Sequence, residues 1–393
     1  MRASSTSKSK RQFNALAVLG RYVRLNALLA IVAAVLGLWA LQLIFSYLSE
    51  LDSLTDSYTM SEALKYIFYR SPYFLEQFMP TGALLGAVVG LGLLANKSEL
   101  VVMRAAGVSV YRIVGWVLQP ALLFAVLALL INQFVLPVSN QLAKDINNED
   151  SGSLVTSVRG YWTLQPRINS TSAGNSAADG SDILYIDYAD VQGNIGEVKR
   201  WHLDNNGILQ TAIHAKGGHY TGRTLIDNSS AQYRYNWQLN DMTTLTINQG
   251  LDSSQASSAA TTLSLPFAPE SVYLLTRQAE DLSLTQLYEH RQFMRGQNKR
   301  SLAHELAFWQ KLLSPLSILS LVIVACSFVF GSLRTHSLGL RIVVALLFGL
   351  LFSYIQDLVG FVALATGFSP LLMVLLPIIA SAILGGYLLK RQM

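Results

Sequence analysis

Chemistry would need nucleophiles, acids, bases or metal ligands at fixed short spacings, and this sequence offers few. His304-Glu305 opens like a zinc helix, in which the second histidine stands one turn after the first on the same face. Phe308 occupies that place, so the pair cannot chelate. His214 and His219 flank Lys216-Gly217-Gly218, a turn signal that could bring two ligands together. No third ligand accompanies them, and solvated surface histidines are the plainer reading. Gly90-Leu91-Gly92-Leu93-Leu94-Ala95 imitates a dinucleotide fingerprint, yet it lies inside a long apolar run and follows no soluble strand, so it reads as helix packing. Neither GxxxxGK[ST] nor GxSxG occurs, and the chain therefore has no phosphate loop with which to hydrolyse ATP alone. Cys326 is the only cysteine, which removes intramolecular disulfides and CxxC metal sites. A proton- or ion-coupled carrier would want several ionisable residues inside apolar runs, and only Asp357 reads as deeply placed. The expectation is no catalytic residue, no metal and no cofactor.

The elements that remain are those of a membrane protein. Of 393 residues, 51% are hydrophobic and 13% charged, against roughly a quarter charged in soluble domains. Six segments can cross a hydrocarbon core that needs about 20 apolar residues: 26–47, 73–95, 113–136, 312–331, 342–364 and 370–389. Lys and Arg mark the cytoplasmic loops. Arg2, Lys8, Lys10, Arg11, Arg21 and Arg24 precede the first span, Lys97, Arg104 and Arg112 join the second to the third, Arg334 and Arg341 join the fourth to the fifth, and Lys390 and Arg391 follow the sixth. The opposite short loops hold Lys65 and Arg70 among five acids. Both termini are therefore expected in the cytoplasm and the polar middle outside it. The basic first residues lead into a run too long for a signal peptide and without a small-residue cleavage site, so that run is expected to stay as the first span. The net charge of +5 belongs to topology and not to nucleic acid, because the cations sit beside apolar runs.

The middle reads as β. Tyr233, Tyr235, Trp237 and Leu239 alternate with polar residues, and Leu184, Ile186 and Tyr188 repeat the period of two. Further strands are expected near 196–203, 207–215, 243–247 and 261–265, in a sandwich or jelly roll. The Ser-rich stretches 169–181 and 253–262 are expected as hairpin tips, and 140–150 and 282–300 as helical connectors. The predicted fold class is an α-helical membrane protein with six transmembrane helices, three before and three after an inserted periplasmic all-β jellyroll domain. Its expected divisions are 1–137, 138–300 and 301–393. Gly82, Gly86 and Gly90 form a small-residue ridge on the second span, read as a helix contact; simple tolerance of glycine in lipid is the alternative.

After the second span, Asn96 to Gly107 reads as a short cytoplasmic helix. Ser98 is placed to cap it, Glu99 suits its positive end, and Leu100, Val101 and Met103 give it an apolar face. Something must cover that face, either lipid or another protein, and position does not decide which.

At these residues the chain resembles the lipopolysaccharide-export permeases, the LptF/LptG family, and is closer to its LptG branch. The resemblance runs the whole length. It includes Gly20-Arg21-Tyr22, the block from Pro80 to Gly107 with Ser98-Glu99-Leu100-Val101-Val102-Met103, Leu136-Pro137, Gly160-Tyr161-Trp162, Phe330-Gly331-Ser332-Leu333-Arg334, Gly339-Leu340-Arg341 and Phe348-Gly349. It implies a non-catalytic inner-membrane permease of a Gram-negative envelope. The implied partners are an LptF-like second permease, an LptB-like cytoplasmic ATPase dimer, an LptC-like single-helix subunit and an LptA-like periplasmic jellyroll protein. It makes 96–107 a coupling helix for the ATPase, through Ser98, Glu99, Leu100, Val101, Met103 and Arg104. Lipopolysaccharide is then implied to enter from the outer leaflet between helix one of one permease and helix five of the other. Leu36, Trp39, Leu43 and Ile44, with Phe348, Phe352, Tyr354 and Ile355, become candidate lining residues, and Lys65, Arg70 and Lys144 candidate rim cations for phosphates. Ser46 stands where some members carry a lysine, so other cations must serve there. The alternative function is an envelope scaffold or sensor that is merely anchored by its helices.

Overall fold

The computed structural model describes residues 3–54, 58–149, 160–168, 178–190, 192–227, 232–247, 253–265, 268–296, 299–331 and 336–391. Two compact units divide the chain. One holds Met1–Ser153, Ser283–Arg291 and Arg300–Met393, the other Leu154–Leu282 and Gln292–Lys299.

The first unit is helical. Among the described residues, six helices are long and apolar enough to cross a membrane, at Leu16–Glu50, Met60–Asn96, Val110–Ala143, Leu302–Phe330, Leu338–Thr366 and Pro370–Lys390. Each contains one of the six apolar runs or nearly all of it, and most extend past it, because backbone hydrogen bonding continues where apolarity stops. The first belongs to α1 (Ala3–Glu50), the second is α2 (Met60–Asn96) and the short α3 (Glu99–Ala105) follows. The third is built from α4 (Val110–Leu130), a π turn (Ile131–Val135) and α5 (Leu136–Glu149). At that turn Asn132 is 1% exposed, and its amide donates to Glu76 Oε1 at 2.9 Å. This gives a carboxylate inside the second span a partner, as a polar group in an apolar bundle requires.

The glycine ridge is the contact with α1. A Cβ at Gly82 would lie 2.6 Å from Val35 Cγ2, one at Gly86 would lie 2.7 Å from the Ile31 nitrogen, and one at Gly90 would lie 3.2 Å from Ala27 Cα. Val23, Ala27, Ile31 and Val35 are at most 1% exposed, and form the stripe by which α1 is held. The other spans are α8 (Leu302–Phe330), α9 (Leu338–Thr366) and α10 (Pro370–Lys390), the sequence α6 (Pro269–Thr276) and α7 (Leu284–Gly296) coming before them. Small residues again set the approaches, with Gly385 against Val324 of α8 and Gly349 against Thr81 of α2. The helical connectors expected at 140–150 and 282–300 are α5 and α7.

The second unit is an antiparallel sheet of β1 (Tyr161–Ile168), β2 (Ala178–Ile186), β3 (Asn194–Ile195), β4 (Val198–Leu203), β5 (Leu209–Asp227), β6 (Gln232–Ile247) and β7 (Ser253–Leu265). The inserted β domain is thus present. Its described strands follow a meander, β1-β2-β4-β5-β6-β7, with β3 beside β5. Leu184, Ile186, Val198, Trp237 and Leu239 face one core, on which Val272 and Tyr273 of α6 and Phe293 of α7 pack. The alternation read in β6 holds at Trp237 and Leu239, which are buried between less buried neighbours, whereas Tyr188 lies beyond the end of β2 and is 52% exposed.

Two expectations in this unit are corrected. The tip expected at 253–262 is instead part of β7, an edge strand paired with β6 from Tyr235↔Leu265 to Ile247↔Ser253, and the strand expected at 261–265 is its last part. The side chains at 253–258 are exposed, but ladder pairing uses the backbone, which composition does not report. Lys216-Gly217-Gly218 is not a turn, since it lies within β5 opposite Leu239 and Asn240. Gly218 is needed there because a Cβ would meet Leu239 Cδ2 at 2.9 Å. Of the tip expected at 169–181, residues 169–177 lie outside the described residues and 178–181 belong to β2.

Candidate functional site

α2 stops at Asn96 and α3 starts at Glu99, so the chain has two residues in which to reverse. Ser98 takes the left-handed conformation, with φ 60°, and makes no side-chain cap. The expected hydroxyl cap is therefore replaced by backbone, the Val101 and Val102 amides both donating to the Ser98 carbonyl at 3.1 Å. Gly107, at φ 85°, ends the helix, and the Val108 amide reaches back to the Met103 carbonyl at 3.1 Å. Such an αL ending satisfies carbonyls that the last turn leaves open.

These ends fix a seven-residue helix with two unlike sides. Leu100 and Met103 are 5% and 4% exposed and join the bundle core together with Val108. Val101 and Val102 are 49% and 66% exposed, and Arg104 is exposed beside them. The apolar face expected on one side is thus divided: Leu100 and Met103 anchor α3 to its own protein, and the two valines are left for something else. Glu99 is half-buried. Its carboxylate accepts from the Tyr22 hydroxyl on α1, and Oε2 is buried with no hydrogen-bond partner. Sequence reasoning missed Tyr22 as the neighbour of Glu99, because 76 residues lie between the two along the chain.

The candidate lipid-lining residues do not share one face. On α1, Leu36 and Ile44 are exposed, Leu43 is half-buried, and Trp39 turns toward α2, its Nε1 donating to the Ser71 carbonyl at 3.0 Å. On α9, Tyr354 and Ile355 are 70% and 37% exposed, but Phe352 is 5% exposed and Phe348 packs edge-on against Phe328, with ring centroids 5.7 Å apart. The open side of α9 is instead the stripe Leu347, Leu351, Tyr354, Leu358 and Phe361. No sequence signal marks it, since the helix is apolar all round.

Among the candidate cations, Lys65 is exposed and the Lys144 side chain lies outside the described residues. Arg70 is half-buried against aromatic rings, 5.1 Å from the Tyr73 centroid, and its Nη1 lies 3.2 Å from Tyr66 Oη, which accepts its hydrogen bond. It lines a cavity of about 420 Å³ between the ends of α1 and α2. Ser46, Ser49 and Glu50 line the same cavity. Elsewhere, Glu197 Oε1 accepts a hydrogen bond from His214 Nε2 at 2.6 Å, His304 stacks on His290 at 3.9 Å, and no metal-holding cluster occurs among the described residues.

Six apolar helices, an antiparallel sheet inserted between the third and fourth, and a short two-sided helix after the second define a multi-pass membrane protein with an inserted β domain. The model of the lipopolysaccharide export system permease LptF/LptG family matches residues 21–391, and the chain belongs to that family. It is 26% identical over 380 residues to the lipopolysaccharide export system permease protein LptG of Escherichia coli (strain K12), covering 95% of this chain and 98% of that protein. The LptG of Haemophilus influenzae (strain ATCC 51907 / DSM 11121 / KW20 / Rd) is likewise 26% identical, over 377 residues, with 95% and 98% covered.

Proposed function

We propose that this chain is the LptG-type permease subunit of an ATP-driven lipopolysaccharide exporter in the inner membrane, with both termini cytoplasmic and the β domain periplasmic. The observation that carries the coupling role is the two-sided α3. Its inner side is fixed in the bundle by Leu100 and Met103, while Val101, Val102 and Arg104 stand open beside a half-buried Glu99. A separate cytoplasmic ATPase dimer docks there, and its movement reaches the membrane through α3 and, by the Tyr22–Glu99 contact, through α1.

Lipopolysaccharide enters between α1 of this chain or its partner permease and α9 of the other, where Leu36 and Ile44 face Tyr354 and Ile355. Arg70 stands in for the lysine absent at Ser46. Its guanidinium shares a cavity with Ser46 and offers a phosphate a planar fork of donors. The β domain then hands the lipid to a jellyroll partner, with a single-helix subunit completing the complex. Charge distribution in the loops supports this orientation.

The test is photocrosslinking in cells from Leu36, Trp39, Tyr354 and Phe348, with and without Glu99→Lys. Lipopolysaccharide adducts at Leu36 and Tyr354 that vanish with Glu99→Lys are the expected result. No adduct at any position, at normal protein levels, would leave an anchored scaffold as the function.

A further inference from the structure

A second cavity, of about 270 Å³, opens where α2, α3, α8 and α9 converge. Three of its lining residues are basic: Arg104 from α3, His336 just before α9, and Arg341 one turn into α9. None of its described lining residues is acidic. Arg341 is 3% exposed, an unusual place for a guanidinium, while Arg104 and His336 are exposed. The wall beside them is apolar, with Leu100 and the last two residues of α8, Val329 and Phe330. The walls are also well fixed, since Leu338 at the start of α9 packs against Gly92 of α2.

We propose that this cavity binds the phosphate headgroup of an anionic phospholipid. Two guanidinium groups and an imidazole with no acid among them suit an anion, and Arg supplies the planar fork that phosphate oxygens accept from. The apolar strip made by Val329 and Phe330 favours an amphipathic ligand over a bare ion. α8 ends and α9 begins at this level, and by the length and apolarity of these two spans that is where the hydrocarbon region gives way to headgroups. Basic pockets between membrane helices on the cytoplasmic side are a recognised place for anionic headgroups. A lipid bound here would touch α3 through Leu100 and Arg104, so the lipid composition of one leaflet would set how firmly the proposed coupling helix is held. The leaflet assignment rests on the orientation proposed above, but binding itself does not.

The experiment uses the full-length chain, delipidated in detergent and titrated with phosphatidylglycerol, with phosphatidylcholine as the zwitterionic control and inorganic phosphate as the free-anion competitor. Native mass spectrometry counts the retained lipid. The wild type is expected to keep one phosphatidylglycerol and no phosphatidylcholine. Arg341→Gln is expected to weaken retention about tenfold or more. Because Arg341 is buried and its replacement could disturb folding, the exposed pair Arg104→Gln and His336→Gln is measured beside it and is expected to do the same. Unchanged retention in that pair, equal retention of both lipids, or displacement by millimolar inorganic phosphate would overturn the proposal. So would a wild type that keeps no lipid, which would return the cavity to an acidic side chain of a protein partner. His336→Cys, labelled by an impermeant maleimide in sealed cells and in inverted vesicles, tests orientation separately, Cys326 being fully buried. Labelling from outside the cell would refute the orientation and leave the lipid site standing.

Discussion

Gly86→Ala adds one methyl group where α2 meets α1, and the size of its effect follows from the contact. The new Cβ would stand 2.7 Å from the Ile31 nitrogen and 2.8 Å from the Ala30 carbonyl oxygen, both of them backbone atoms that no rotamer change can move. Ordinary contacts between carbon atoms lie at about 3.5–4.0 Å, so α1 must retreat by about 1 Å. A gap of that size forfeits about a quarter to a half of each dispersion contact along the stripe of Val23, Ala27, Ile31 and Val35. Overpacking of this kind costs about 1–3 kcal/mol. Against it stands the helix propensity of alanine, which favours the variant by about 1 kcal/mol. The net expectation is destabilisation by up to about 2 kcal/mol. Gly386→Ala on α10 is the internal control, because nothing lies within 4 Å of a Cβ there and propensity acts alone. Thermal unfolding of the detergent-purified protein, followed by size-exclusion chromatography after heating, should rank Gly386→Ala at or above wild type and Gly86→Ala below it. Gly86→Leu should fall further and release α1. A Gly86→Ala midpoint equal to that of Gly386→Ala would refute the argument that this ridge holds α1.

His290, 3% exposed and stacked on His304, has its pKa lowered from 6.5 to about 4, by burial first and by His304 second. The folded protein thus keeps a neutral imidazole that the unfolded chain would protonate, so its contribution is intact above about pH 6.5 and is lost as pH falls toward 4. Over that window the loss is about 3 kcal/mol, and melting curves at a series of pH values should be flatter for His290→Gln than for wild type. Glu305, 6% exposed, bonds Arg300 at 2.8 Å and faces Arg291 at 3.6 Å. Glu305→Ala strands Arg291 and should cost about 3 kcal/mol, at the low end for a broken buried pair because Arg300 can turn to water, as read from the unfolding midpoint. Trp237 is fully buried in the sheet core with no partner for Nε1. Trp237→Ala should therefore cost about 3–5 kcal/mol, but Trp237→Phe far less because it removes the unsatisfied donor, and limited proteolysis of the β domain would separate the two.

The sequence by itself determined whatever depends on neighbours along the chain. Run length is enough to specify a span, so all six were legible; spacing of four makes a ridge on any helix, so Gly82, Gly86 and Gly90 were legible as a contact; a period of two marks Trp237 and Leu239 as one face of a strand. Composition failed at 253–262, where pairing to β6 is made by backbone groups and not by side chains, and at Lys216-Gly217-Gly218, where glycine serves close approach and not a turn. Only the tertiary structure decided which way each span faces. Helices apolar all round carry no directional signal, and so Phe352 turned inward while Leu351 and Tyr354 stayed open. It also decided which distant charges meet. Glu99 lies against Tyr22, Arg70 shares a cavity with Ser46, and Arg104, His336 and Arg341 surround another, because charge is written in the residue but its company is set by how the helices pack.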